Sequence, residues 1–301
     1  MSTVALQRVR KAFDHFVAVE ELSLAIGPGS VYGLLGPNGA GKTTTLRMIL
    51  GILAPDSGEV RLFGEPFERR HLHRVGYLPE ERGLYKKMKI RDHLVYLAQL
   101  HGLDAARADR QAAHWCERLA IAEWMPRKVE ELSKGMQQKI QFIAALLHDP
   151  DFIVLDEPFA GMDPVNTALL KDAILDLKAA GKTVLLSTHR MDQIEKLCDS
   201  ICLVNRGRAL LEGELKQIKA ARGKNTVQIN YEGDGKFLEG NGFVESFNDY
   251  GNYAEVRLKP GADPQELLRR VAAGGSRVSR FELVEPSLEQ IFIDAVRHSD
   301  A

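Results

Sequence analysis

Apolar residues along this chain fall into two spacings, and the switches between them mark its elements. Val17 to Gly36 reads as two strands around the turn Gly27-Pro28-Gly29-Ser30, the second being Val31-Tyr32-Gly33-Leu34-Leu35. The chain then breaks into glycine, and from Lys42 apolar residues recur at helical spacing through Leu46, Ile49, Leu50 and Leu53. Strand, glycine-rich loop and helix in that order predict an α/β core built on a parallel sheet. From about Ile90 to Leu147 the pattern is helical: Leu94, Leu97, Ala98 and His101 form one stripe, and Ile140, Ile143, Ala144 and Leu147 another. This predicts a helical subdomain, about 85–150, inserted into the α/β domain. Strand-like runs return at Phe152 to Leu155, Thr183 to Leu186 and Ser200 to Val204, with a helix across Val165 to Lys178.

After a helix-like stretch from Glu212 to Ala221, Arg222-Gly223-Lys224-Asn225 breaks the pattern. Strands such as Thr226 to Tyr231 and Tyr253 to Leu258 follow, with a helix at Pro264 to Ala272. The expected organisation is therefore a domain over 1–221 and a smaller α+β domain over 222–301. An order βαββαβ over 224–284 would suit a ferredoxin-like unit that mediates dimer contacts or regulation. Near the end, Ser287 and Gln290 form a capping-box pattern, and Leu288, Ile291, Phe292 and Ala295 make the apolar face of a docking helix.

Composition narrows the function classes. The 301 residues are 45% hydrophobic and 27% charged, as in a soluble globular protein, and suffice for two domains. The formal net charge is −1, and residues 221–301 hold 10 Lys and Arg against 13 Asp and Glu, so neither part offers nucleic acid a basic platform. Cys116, Cys198 and Cys202 are too few and too scattered for a disulfide framework or a zinc site, which fits a reducing cytosol. Cys198 and Cys202 are spaced to share a helix face, as small buried side chains. The opening residues lack the charged-then-apolar pattern of an export signal. Apolar runs such as Phe142 to Leu147 fall far short of the roughly 20 residues that span a bilayer. At a membrane, another protein would have to anchor this one.

Gly36-Pro37-Asn38-Gly39-Ala40-Gly41-Lys42-Thr43, followed by Thr44, satisfies G-x-x-x-x-G-K-[ST] between a predicted strand and helix. Glycines let the backbone wrap so that N–H groups and the positive end of the helix point at phosphates. Lys42 would reach the β- and γ-phosphates, and the Thr43 hydroxyl would bind Mg²⁺. Phe152-Ile153-Val154-Leu155-Asp156-Glu157 is an apolar strand ending in two acids, an arrangement that is costly without a cation. Asp156 suits Mg²⁺ coordination, and Glu157 suits polarising an attacking water as a general base.

Leu132-Ser133-Lys134-Gly135-Met136-Gln137-Gln138 resembles the signature motif, L-S-G-G-Q, of ATP-binding cassette (ABC) proteins. With the phosphate loop, Leu155-Asp156-Glu157-Pro158, Ala160-Gly161-Met162-Asp163 and Ser187-Thr188-His189, the resemblance covers roughly residues 3–220 in the family's motif order. It implies a P-loop NTPase cassette that hydrolyses ATP with Mg²⁺, and a second cassette subunit, a homodimer, closing head to tail around two nucleotides. The phosphate at Ser133 and Gly135 would then belong to ATP on that second subunit. Lys134 and Met136 depart from the motif, where glycine and glutamine are commoner, and imply retuned dimerisation. His189 matches the switch histidine that contacts the γ-phosphate and supports Glu157. Phe13 aligns with the aromatic that stacks on adenine, with core packing as its alternative. Glu80, in Gly76-Tyr77-Leu78-Pro79-Glu80, stands where the family usually has a glutamine that senses Mg²⁺ and water; a carboxylate there can still bind the metal. The stretch Gly83 to Met88 would lie near the groove that grips a permease's cytoplasmic helix.

The end segment Pro286 to Phe292 looks like that of drug-export and sodium-export cassettes with a small domain after the ATPase. The implied function is the ATPase subunit of an exporter, driving a separately encoded integral-membrane permease from the cytoplasmic face of the membrane. The alternatives are a soluble cassette ATPase with a regulatory or nucleic-acid-related role, and an ATP sensor without turnover. Near-neutral charge and one cassette per chain oppose the former. Glu157 opposes the latter.

Overall fold

The computed structural model describes residues 2–81, 83–221, 225–233, 242–259, 261–273 and 277–299. In chain order they form β1 (Val4–Phe13), β2 (Phe16–Ile26), β3 (Val31–Leu35), α1 (Lys42–Ile49), β4 (Ser57–Leu62), β5 (Glu65–Pro66) and β6 (Val75–Leu78). Next come α2 (Ile90–Leu100), α3 (Ala105–Arg118), α4 (Lys134–Leu146), β7 (Phe152–Asp156), α5 (Pro164–Ala179), β8 (Thr183–Thr188), α6 (Met191–Ile194), β9 (Ser200–Asn205) and β10 (Arg208–Glu214). The chain ends with α7 (Leu215–Ala221), β11 (Thr226–Glu232), β12 (Val244–Asp249), β13 (Tyr253–Leu258), α8 (Pro264–Ala273), β14 (Arg277–Val284) and α9 (Leu288–Ser299). Two compact units result, one holding residues up to Glu214 and the other Leu215–His298.

In the first unit β3, β7 and β8 are buried along their whole length, because their apolar runs have no polar alternation to expose. They lie at the centre of a sheet ordered β10-β9-β3-β8-β7-β6, parallel except where β10 returns antiparallel on β9. A second, antiparallel sheet runs β2-β1-β4-β5. The turn at Gly27 to Ser30 does join two strands, but it passes the chain from one sheet to the other. β2 alternates buried and exposed positions, so it serves a one-sided sheet, whereas β3 does not alternate. One apolar core unites the sheets and α1, with Val4, Leu24, Leu34, Leu46, Ile49 and Val154 all at most 3% exposed.

The helical stripes pack as their spacing predicts. Leu94, Ala98, Ile140, Ile143 and Leu147 are buried where α2, α3 and α4 meet. His101 is exposed, but its ring stacks flat on His148, with centroids 3.9 Å apart. The expected helix from Glu212 begins later: Glu212 to Glu214 belong to β10, and α7 starts at Leu215. A tight turn with Arg206 and Gly207 at φ 48° and 78° folds β10 back on β9, and Tyr32 donates its hydroxyl hydrogen to Glu212 at 3.0 Å. Cys202 lies in β9, so it shares no helix face with Cys198; all three cysteines are buried free thiols.

The second unit has an antiparallel sheet ordered β12-β13-β11-β14, and Val227, Ile229, Val256, Leu267 and Val271 form its core. Counted within the unit the strand order is 2-3-1-4, as in a ferredoxin-like split β-α-β sheet. The helix expected after the first strand, and the break at Arg222-Gly223-Lys224, fall wholly or mainly outside the described residues.

Candidate active site

Register in the parallel sheet gathers the chemistry at one edge. Leu35 pairs with Thr188, Asp156 with Ser187 and Leu78 with Leu155. The residues that follow these strands, Gly36, Glu157, His189 and Glu80, therefore leave the sheet side by side, beyond the carboxyl ends of its strands, where ligands of such sheets bind.

The loop from Gly36 to Thr44 joins β3 to α1. Gly36 and Gly41 hold φ of 155° and 103°; a Cβ on either would come within 2.1 Å of the Val204 carbonyl oxygen or 2.3 Å of the Ala18 carbonyl oxygen. No other residue fits there. Ala40 is buried beneath the loop, while Pro37, Asn38 and Gly39 are exposed. Lys42, 7% exposed, turns its ammonium back to donate to the carbonyls of Gly36 at 2.7 Å and Pro37 at 3.0 Å. Burial pulls its pKa below the usual lysine range, opposed by the charges of Glu157, Asp156 and Glu80.

A cleft of about 320 Å³ is lined by Asn38, Gly39, Gly41, Lys42, Thr43 and Thr44 from this loop and by Glu80, Asp156 and Glu157. Asp156 is 1% exposed, accepts from the Thr43 hydroxyl at 3.1 Å, and has its pKa pushed up, chiefly by burial. Among the described residues no three His, Cys, Asp or Glu side chains cluster to cage a metal. A hydroxyl beside one buried carboxylate fits magnesium instead, which takes few protein ligands and completes its shell with water and phosphate oxygens.

Glu157 adopts φ 48°, in the left-handed region that non-glycine residues seldom take. Its carboxylate is held on both oxygens. Oε2 accepts from the Thr188 hydroxyl at 2.9 Å, and Oε1 accepts from the His189 backbone N–H at 3.0 Å and from its ring Nδ1 at 2.7 Å. The His189 ring is half-exposed, with Nδ1 the nitrogen turned to the Glu157 carboxylate. Gln138 donates to the Glu157 carbonyl at 3.5 Å.

Two groups of predicted residues lie elsewhere. Ser133 caps α4 by accepting from the Met136 N–H at 3.3 Å, and a Cβ on Gly135 would rest 3.6 Å from the Gly161 carbonyl. Neither lines the cleft. Phe13 does not line it either; Phe16, its cross-strand partner at the tip of the β1–β2 hairpin, does, with Ala18 beside it. Phe13 instead has the Lys11 ammonium 5.8 Å from its ring centroid. Phe16 and Thr188 are thus the side chains that sequence reasoning passed over. The aromatic pair flanking a short turn was a visible signal for the first, whereas only strand register reveals the second.

Comparison with known proteins accords with this geometry. Residues 19–160 match the ABC transporter family model, and residues 213–296 match the model for the C-terminal domain of DrrA1-3-like ATP-binding proteins. The chain is 44% identical to an "uncharacterized ABC transporter ATP-binding protein", YhaQ, of Bacillus subtilis, over 97% of this chain and 98% of the relative. It is 39% identical to the Nod factor export ATP-binding protein I of Paraburkholderia xenovorans, over 76% of each. A solved ATP-binding subunit of an ABC transporter superposes with a TM-score of 0.68 at 28% identity, covering 74% of this chain and 94% of its own. The chain belongs to the ATP-binding proteins of ABC transporters, a family that hydrolyses ATP to power transport.

Proposed function

We propose that this chain is the motor of an exporter, in which Glu157 is the general base and two copies close around two nucleotides to drive a separately encoded permease. The observation that supports it most is the clamped Glu157 carboxylate, fixed on both oxygens at the rim of a cleft that also holds Lys42, Thr43 and Asp156. Lys42 and the N–H groups of Gly36 to Thr44 bind and neutralise the phosphates. Thr43 and Asp156, with Glu80 also lining the cleft, would hold magnesium, which would supply charge stabilisation for the transferred phosphoryl group. Glu157 takes the proton of the attacking water, and His189 holds that carboxylate in place through its backbone N–H and its ring. The adenine ring of ATP would stack on the hairpin that carries Phe13 and Phe16.

Ser133 and Gly135 do not line the cleft of their own chain, which favours their use on a second copy's nucleotide. Lys134 brings positive charge to that surface. The Nod factor relative is named for export, and a solved neighbour, cbiO1 of Clostridium perfringens, is described as part of a transporter complex. Among the described residues no helix is long and apolar enough to cross a membrane, so attachment to the cytoplasmic face would run through a permease. The unit from Leu215 onward is the accessory domain, suited to dimer contacts or regulation.

Size-exclusion chromatography of Glu157→Gln with ATP and magnesium tests the closed pair. We expect a nucleotide-dependent dimer that Ser133→Ala weakens; a monomer under all conditions would oppose it. Copurification of a multi-span membrane protein supports transport, and a soluble or ribosome-associated partner in its place contradicts it.

A further inference from the structure

The nucleotide cleft sets three acids against one ammonium. Glu80, Asp156 and Glu157 line it with Lys42, and every other lining residue is uncharged. A cleft meant for a polyanion thus carries an excess of acid. The three carboxylates differ in how far that excess is compensated. Asp156 is 1% exposed, accepts from the Thr43 hydroxyl, and burial pushes its pKa up. Glu157 spreads its charge over three donors, the Thr188 hydroxyl and the backbone N–H and ring of His189. Glu80, two residues past the end of β6, is exposed, and among the described residues it accepts no hydrogen bond and has no cation within ion-pair distance. Its field still reaches the cleft, where it acts on Lys42 and is one of the causes that raise the Asp156 pKa. Around Tyr77 that field adds to those of Asp156 and Glu81 and is opposed by that of Arg47.

These acids cannot be neutralised by a caged cation, because among the described residues no three His, Cys, Asp or Glu side chains cluster to hold one. The compensating cation has to arrive with the nucleotide. ATP without metal carries about four negative charges near neutral pH, and a bound magnesium ion offsets about two of them. The contribution of Glu80 therefore changes sign with the metal. Its carboxylate repels a bare phosphate chain, and it attracts, directly or through water, a divalent ion carried on that chain.

We infer that Glu80 is a specificity-determining residue, whose uncompensated carboxylate makes the cleft reject metal-free nucleotide and accept the magnesium complex. The inference rests on the reading of this cleft as the nucleotide site. It concerns which form of nucleotide binds, and is separate from the hydrolytic step assigned to Glu157. Metal and nucleotide are then linked in binding, each raising the affinity for the other by the same factor.

The test is equilibrium titration of the full chain with the non-hydrolysable ATP analogue AMP-PNP, once with excess magnesium and once with EDTA, at neutral pH and low salt, where exposed charges are least screened. The readout is the ratio of the two dissociation constants, metal-free over magnesium-bound. Glu80→Gln should lower that ratio at least about 10-fold, mainly by tightening the metal-free arm, because one carboxylate no longer opposes the phosphate charges. Glu80→Asp, which keeps the charge, should stay within about 3-fold of the parent ratio, with thermal melts showing that both variants fold. Lys42→Ala should lose binding in both arms. A Glu80→Gln ratio within about 2-fold of the parent's, or weaker metal-free binding by that variant, would overturn the inference and leave the reading of the cleft standing. Binding that survives Lys42→Ala would place the nucleotide elsewhere and overturn both.

Discussion

Thr188 carries a sharp prediction because its hydroxyl hydrogen goes to the proposed base. Its side chain is 1% exposed at the end of β8; its hydroxyl donates to Glu157 Oε2 at 2.9 Å and accepts from the Arg190 N–H at 3.1 Å. Thr188→Val keeps the shape and the β-branched preference of the strand but leaves Oε2 without a donor. A hydrogen bond to a charged group is worth about 1.5–3 kcal/mol, so kcat should fall roughly 10- to 100-fold if that bond aims the carboxylate. Lys42 and Thr43 are untouched, so KM for ATP should move less than about 2-fold. Steady-state phosphate release, with a thermal melt to show that the variant folds, measures both quantities. Thr188→Ser, which restores the hydroxyl, should recover most of the rate. A Thr188→Val enzyme with kcat within about 2-fold of the parent, or one that loses KM and kcat together, would refute the idea that Thr188 positions Glu157.

Three further outcomes follow from named contacts. Phe16→Ala should weaken ADP binding, measured by calorimetry, by about 5- to 100-fold, the usual worth of stacking a base on an aromatic ring, and by more than Phe13→Ala does; the reverse order would return the stacking role to Phe13. Gly36→Ala should abolish nucleotide binding and lower the melting temperature, because its methyl would enter the Val204 carbonyl. His93 is fully buried with neither ring nitrogen partnered, and burial pushes its pKa down to about 4. Its stabilising neutral form is fully populated above the unfolded value near 6.5 and is lost as pH falls toward 4. His93→Leu should therefore reduce the stability lost between pH 7 and pH 5 by on the order of 1–2 kcal/mol in urea denaturation; an unchanged pH dependence would exclude His93 as its source.

The most readable elements were those whose signal is local. β3, β7 and β8 are continuous apolar runs, α2 and α4 carry plain helical stripes, and the phosphate loop needs glycines that little else demands. What stayed hidden depends on pairing across the chain. β1 joins β4 more than fifty residues away, and the alternation of Val4 and Leu6 alone gave no partner. Glu212 reads as helical with the residues after it, yet its pairing with Cys202 draws it into β10. The same limit applies within the site. Asp156, Glu157 and His189 stood out as a strand end and a motif, whereas the role of Thr188 and the choice between Phe13 and Phe16 require knowing which strand end faces which.

The most direct test is phosphate release by the purified chain with ATP and magnesium, measured beside Glu157→Gln. That substitution preserves the size of the side chain and much of its hydrogen bonding, but removes the base. The account predicts sustained turnover by the parent chain and a rate at least about 100-fold lower in the variant, with ATP still bound. Release by the parent no faster than by Glu157→Gln would contradict it.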